Sequence, residues 1–275
     1  MVVWQSLGSS GGDTAAFSIQ GQRYAAGGAA LGGQFQVNSY TTSSQVRPAV
    51  SRDADGDFVV VWVSYGSSGG DTSLNSIQGQ RYEASGAALA GQFQVNTFTT
   101  SGQSDPSVAL SADGDFVVVW HSNGSSGSDT GSYSIQGQRF RVTGELVGRV
   151  FFDADANGLQ DEGETGIPGV TVELFDDTFS LRRTVLTDGL GEYHLRPKEG
   201  LWFVRFVAPS YRFTTQDVGN DDTVDSDADP AGGAASVLVT INVLDTTVDA
   251  GFVVFPLFLD GFETNDTSQW STTVP

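Results

Sequence analysis

The chain of 275 residues contains no cysteine. That excludes disulfide staples, Cys-ligated zinc or iron–sulfur sites and a thiol nucleophile. Only two histidines are present, His121 and His194, too few for a His-based metal site or an ordinary triad. Basic residues are also scarce, with 13 Lys+Arg against 33 Asp+Glu and a net charge of -20. A nucleic-acid partner wants a positive surface, so that class is excluded. No apolar run approaches the ~20 residues that cross a bilayer as a helix. The N-terminal MVVWQSLGSS lacks the basic n-region and long h-region of a signal peptide.

What the chain does have is internal repetition. SIQGQR begins at Ser18, Ser76 and Ser134, GQFQVN at Gly33 and Gly91, and Trp4, Trp62 and Trp120 keep the same step of 58 residues. Constant spacing means one structural unit repeated without insertions. Each unit reads as four short strands broken by Gly, Asp and Ser: PAVS or PSVALS, DFVVVW, SIQGQR and GQFQVN. The run from Gly86 to Ala90 reads as a turn rather than a helix. Four strands per unit is the arithmetic of a propeller blade, with stacked sandwich-like units as the alternative. The first unit starts at its second strand and the third ends after SIQGQRFRV, so residues 1–143 hold one complete and two partial units. The expectation is a C-terminal piece of a longer protein. This part resembles the tandem FVVVW-type repeats of large bacterial surface or secreted proteins, which implies propeller-like sheets. The turns DADGD (53–57) and SADGD (111–115) admit two readings, a hairpin turn or a weak calcium site. Trp62 and Trp120 read as core, and the repeated Arg as paired with a nearby Asp.

Composition changes after Val142. Residues 1–143 carry 10 acidic and 6 basic residues, whereas 144–275 carry 23 and 7. The first acidic cluster is DADANGLQDEGE (153–164). Oxygen-bearing side chains fall at Asp153, Asp155, Asn157, Asp161 and Glu164, loop positions 1, 3, 5, 9 and 12. Gly158 stands at 6, and Leu159 at 7 can offer its carbonyl. This is calcium-loop spacing: a hard cation wants six to eight oxygens, and alternate side chains of a tight turn converge on it. The flanks GRVFFD and GVTVELFDD alternate as strands, so calcium would pin a turn rather than open a helix pair. The second cluster, 217–229, fits no single standard loop. It reads either as one or two further calcium sites or as a flexible acidic loop.

The runs GRVFFDADANGLQDEGETGIPGVTVELFD, TDGLGEYHLRP, WFVRFVAPSYRFTTQDVG, DDTVDSDAD and DAGF, in that order, resemble the B-type repeat domain of serine–aspartate-repeat surface proteins, over residues 146–253. That domain is a relative of the collagen-adhesin B-type fold. The resemblance implies an immunoglobulin-like β-sandwich of about seven strands and a calcium-stiffened spacer role. It assigns the first site to Asp153, Asp155, Asn157, Asp161 and Glu164, and the others to Asp222, Asp225 and Asp227. Asp188 would cap a turn or assist a site. Some relatives carry a Lys–Asn isopeptide bond. The one lysine here, Lys198, lies outside the first strand, which argues against such a bond. Phe151, Val170, Val172, Leu174, Tyr193, Trp202, Val204, Phe206, Val237, Val239, Ile241 and Phe252 read as sandwich core.

The expected architecture is therefore all-β: partial propeller-like repeats (1–143), a β-sandwich (144–254) and a tail (255–275). The tail lacks an LPxTG sorting signal, and its DGFE…W pattern resembles a C-terminal segment of secreted Gram-negative proteins. The expected function is a calcium-stabilised structural or spacer module of a bacterial secreted or cell-surface protein, without catalysis. An adhesive module binding carbohydrate or host protein is the alternative. Expected partners are neighbouring repeats or domains of a longer chain, or an extracellular protein or glycan, with no nucleic acid and no membrane insertion.

Overall fold

The computed structural model describes residues 1–254, apart from 15, 67, 68, 126 and 130. The tail at 255–275 lies outside the described residues. Those described form strands, turns and loops without a helix, in two compact units, Met1–Thr143 and Gly144–Pro275. Among the described residues no helix is long and apolar enough to cross a membrane.

The first unit holds three antiparallel meanders. β1 (Val2–Leu7), β2 (Phe17–Tyr24) and β3 (Ala30–Gln36) make the first sheet. β4 (Gln45–Arg52), β5 (Phe58–Tyr65), β6 (Asn75–Tyr82) and β7 (Ala88–Gln94) make the second. β8 (Gln103–Leu110), β9 (Phe116–Ser122) and β10 (Ser134–Phe140) make the third. Gly86 sits in a turn at φ 89°, but the strand resumes at Ala88, earlier than the turn reading of 86–90 allowed. Among the described residues the sheets close no barrel or propeller ring.

The sheets stack face to face, which explains the run FVVVWV. Successive strand residues point to opposite faces. Phe58, Val60 and Trp62 pack with Ile19, Val37 and Tyr82 against the first sheet. Val59, Val61 and Val63 pack with Phe116, Val118 and Trp120 against the third. A strand covered on both sides needs apolar residues at every position. Trp62 is fully buried and its Nε1 donates to Gln45 Oε1 at 3.2 Å.

The loop motif SSGGDT has a similarly local cause. Asp71 is buried, and Asn96, just past β7, donates to its Oδ2 at 2.8 Å while accepting from the Ile77 backbone. Asp13, Asn38 and Ile19 repeat the arrangement 58 residues earlier. The third unit has Ala154 where this Asn would fall, and its Asp129 is exposed. The loop 53–57 is a hairpin turn: Asp53 N donates to Asp57 O, and Gly56 N donates to Asp53 Oδ1. Arg139 lies 3.6 Å from Asp115, the pairing expected of the repeated Arg, whereas Arg23 of the first unit donates to the Ala84 carbonyl at 2.6 Å.

The second unit is two sheets face to face. β11 (Glu145–Phe152), β14 (Glu192–Leu195), β16 (Tyr211–Phe213) and β19 (Ala250–Val254) run in the order β14-β11-β19-β16, with the short β18 (Leu244–Asp245) also on β11. β12 (Thr171–Phe175), β13 (Leu181–Leu186), β15 (Gly200–Val207) and β17 (Ala234–Val239) run β13-β12-β15-β17. β11 pairs with β14 antiparallel and with β19 parallel. Between the sheets lie Val150, Val172, Leu174, Tyr193, Leu195, Val204, Phe206, Val237, Val239 and Phe252. Two expected core residues sit elsewhere. Phe151 is buried on the opposite side of β11 from Val150, and Ile241 is half-buried in a turn after β17. A strand's alternation sends neighbours to opposite faces, so both Val150 and Phe151 cannot enter one core.

Candidate metal centre

β11 delivers the first acidic loop. Asp153 follows its last residue and is held to β19 by Asp153 N donating to Phe252 O at 2.9 Å. Burial works against the Asp153 charge. Thr214 Oγ1 at 2.5 Å and the backbone N–H groups of Gly158, Ala156 and Asn157 outweigh it and hold the carboxyl below its ordinary range. Gly158 sits at φ 86°, and a Cβ there would press on Thr215 O, so position 6 of the loop needs glycine.

The loop then folds its oxygens inward. Oxygens of Asp153, Asp155 and Glu164 lie within 4.8 Å of one another. Glu164 accepts from Ala154 N at 2.7 Å and from Asp161 N at 3.1 Å, so its carboxylate spans the start and end of the loop. The Asn157 amide bridges Asp155 and Asp161, at 3.2 and 2.8 Å. Asp161 is therefore tied to the trio through Asn157 and is not one of its three members. The Leu159 backbone pairs in an antiparallel bridge with Asp225, flanked by Gln160 N donating to Val224 O and Ser226 N donating to Gly158 O. The two acidic loops are thus stitched together by main chain.

The second loop brings oxygens of Asp222, Asp225 and Asp227 within 4.8 Å of one another. Asp225 is 4% exposed, and its Oδ1 is buried without a hydrogen-bond partner. Burial first, then the Asp222 charge, pushes its carboxyl up. Asp227 is pushed up to about 8 by burial and by the charges of Asp222, Asp249 and Asp225, against one backbone donor, Asp249 N at 2.6 Å. Asp249 is pushed up to about 7 by burial and by Asp225 and Asp222, although Arg149 N donates to it. Buried carboxylates that repel one another favour protonation or a cation.

Other acidic residues of this region do local work. Asp221 accepts from Thr223 N and Oγ1, and Asp229 from Ala231 N. Asp188 accepts from Leu190 N and Glu192 N, both at 2.9 Å, as a turn cap. Trp202 Nε1 donates to the Lys198 carbonyl at 2.8 Å. Among the described residues, these two trios are the acidic groups that converge closely enough to hold a metal ion; Asp53, Asp55 and Asp57 do not form a third. The donor set is all oxygen, which suits a hard cation such as calcium, magnesium or manganese. Asp249 is the residue that loop spacing missed. It lies 22 residues beyond Asp227 in sequence and is joined to it by Asp227 N donating to Asp249 O at 3.0 Å and Asp249 N donating to Asp227 Oδ2 at 2.6 Å. Its one sequence signal is the DAGF run.

Residues 144–252 match the family model of the SdrD B-like domain. Serine-aspartate repeat-containing protein D of Staphylococcus aureus (strain Newman) is 32% identical over 174 residues, covering 61% of this chain and 12% of that protein. Serine-aspartate repeat-containing protein F of Staphylococcus epidermidis is 34% identical over 136 residues, covering 48% of this chain and 8% of that protein. The chain thus matches about an eighth or less of these relatives' length. Among solved structures, the group B streptococcus pilus 2b backbone protein overlays on 75% of this chain and 98% of its own, at 10% identity and a TM-score of 0.29. A score that low adds nothing to the strand pairing above.

Proposed function

We propose that this chain is a calcium-stabilised structural module, a spacer within a bacterial secreted or cell-surface protein, and that it performs no catalysis. In this reading residues 1–143 are a propeller-like repeat series, 144–254 a calcium-bearing sandwich and 255–275 a separate tail. Asp153, Asp155, Asn157, Asp161 and Glu164, with the Leu159 carbonyl, hold one ion. Asp222, Asp225 and Asp227 hold one or two more, with Asp249 adding charge behind them. Bound calcium supplies positive charge to oxygens that otherwise repel. Its partners are the neighbouring domains of a longer chain.

The observation that carries this reading is Asp225. An orphaned carboxylate oxygen in the interior costs several kcal/mol unless a cation or proton meets it. Its backbone is paired to Leu159 of the first loop. Ions at the two loops would therefore brace one end of the sandwich together. Extracellular calcium is roughly millimolar, enough to fill weak oxygen sites of this kind. Burial of Phe58, Trp62, Tyr82, Phe116 and Trp120 between the repeat sheets supports a spacer over an aromatic glycan platform.

Isothermal titration of the full chain with calcium, after chelator treatment, is the test. The expected result is binding at two or more sites, with Asp225→Asn removing the second class and sparing the first. Absence of heat and of any calcium-dependent change in melting would overturn the proposal.

A further inference from the structure

Alternation along β11 sends Leu146 and Val150 into the sandwich and leaves Arg149 on the other face, half-buried. The Arg149 guanidinium spans two main-chain acceptors. Its Nε donates to Leu190 O at 3.2 Å and its Nη2 to Glu164 O at 3.1 Å. One acceptor lies in the turn before β14, which Asp188 caps. The other is the last residue of the first acidic loop. The planar fork of an arginine reaches two acceptors at a fixed spacing, which an ammonium does not. Hydrogen bonds from a charged donor are also stronger than neutral ones.

What the second bond holds is the closing residue of the loop. Glu164 turns its carboxylate back over the loop, accepting from Ala154 N at 2.7 Å and Asp161 N at 3.1 Å. The chain then leaves along β11, with Phe152 N donating to Thr165 O at 2.9 Å and Ile167 N to Val150 O at 2.8 Å. Gly166 lies so close to the Leu190 carbonyl that a Cβ has no room between them. The loop exit is thus laid against both β11 and the turn at 188–191, and the Arg149 side chain clasps the two segments together. Arg149 touches the second acidic cluster through its main chain, where its N–H donates to Asp249 Oδ1 at 2.5 Å. Side chain and backbone of one residue therefore serve different clusters.

We propose that Arg149 is a positioning residue for the first ion: its guanidinium fixes the main chain of Glu164 and so sets the carboxylate that closes the loop. This rests on the calcium reading of that loop and adds to it a residue that no loop spacing includes. The sign of the effect separates this role from a purely electrostatic one. A positive charge beside a cation site repels the cation, so a guanidinium acting only as charge would lower calcium affinity, and its removal would raise it. A clasp does the reverse, because losing it frees the ligand. Residues that hold a metal ligand from behind are worth about 10–100-fold in affinity.

Calcium titration of the full chain and of its Arg149→Gln and Arg149→Lys variants tests this, with amide hydrogen exchange in chelator as a readout free of metal. Each variant is also made with Asp225→Asn, so that the first site is read alone. Arg149→Gln is expected to weaken the first site about tenfold and to leave the second unchanged, since the main-chain N–H to Asp249 survives the substitution. Arg149→Lys, which keeps the charge and reaches one carbonyl, recovers part of the loss. In chelator, the amides of Ala154 and Asp161 exchange faster in Arg149→Gln than in the wild type. A first site that is unchanged or tighter in Arg149→Gln overturns the proposal. So does equal weakening of both sites, which marks a general loss of fold. A wild-type chain that binds no calcium overturns the calcium reading instead, and equal exchange of those two amides then overturns the clasp as well.

Discussion

The two units bury their carboxylates in opposite company. In the repeats, buried Asp71 meets an amide, with Asn96 Nδ2 at 2.8 Å, and Asp13 meets Asn38 in the same way. In the second unit, Asp225, Asp227 and Asp249 meet one another and are pushed toward protonation. A carboxylate facing a donor is complete within its own chain. A group of carboxylates facing each other is complete only with a cation or protons. On the proposed function, the difference separates a region whose stability resides in its sheet stacking from one whose stability depends on what the medium supplies.

The largest expected effect comes from removing ligands without disturbing the fold. Asp155 and Asp222 are exposed members of the two trios. The double variant Asp155→Asn with Asp222→Asn should lose most of the calcium-dependent stabilisation, about 2.7 kcal/mol per site at a hundredfold excess over Kd. Denaturant melts in calcium and in chelator would measure it, and an unchanged calcium increment would break the comparison. In the repeats, Trp62→Ala should cost about 3–5 kcal/mol through the cavity it leaves, equally with and without calcium. Asn96→Ala should cost about 1–3 kcal/mol by stranding Asp71. A calcium-dependent cost at either position would blur the distinction.

The pH response is smaller, because water reaches Asp227. Burial and neighbouring carboxylates push its folded carboxyl up to about 8 and that of Asp249 up to about 7, against an ordinary value of 3.8. Between those limits the folded state binds more protons than the unfolded chain. In chelator, stability should therefore fall as pH rises from about 4 to 8. Calcium should flatten that slope, and a melting temperature rising over this window without calcium would contradict the account. The smallest effect belongs to Val119→Ala, within about 0.5 kcal/mol for an exposed side chain, while its equivalent Val61→Ala should cost over 1 kcal/mol. Equal costs at the two would mean that the third sheet's face is covered within the chain.

The pair Val61 and Val119 also marks how far sequence reading reaches. The string DGDFVVVW is identical in both units, so it specifies a strand but not its neighbours. Burial depends on which sheet follows, and β11 goes to a different sheet. The period of 58, the strands within it and the core role of Trp62 follow from local pattern, because alternation and turn residues act within a few positions. In the acidic loops, the spacing of Asp153, Asp155 and Glu164 is local and legible. Asp249 is not, since hydrogen bonds between distant loop segments join it to Asp227. Nor is the Leu159–Asp225 pairing, a contact between two loops that no spacing rule encodes.

The central claim is that calcium completes the second unit and leaves the repeats indifferent. Scanning calorimetry of the full chain, in millimolar calcium and in chelator, tests it most directly. Two transitions are expected, one of which moves upward with calcium by roughly 10 °C or more, given about 4–8 °C per kcal/mol for a domain of this size, while the other stays in place. Identical scans in the two media, or both transitions moving together, would contradict it.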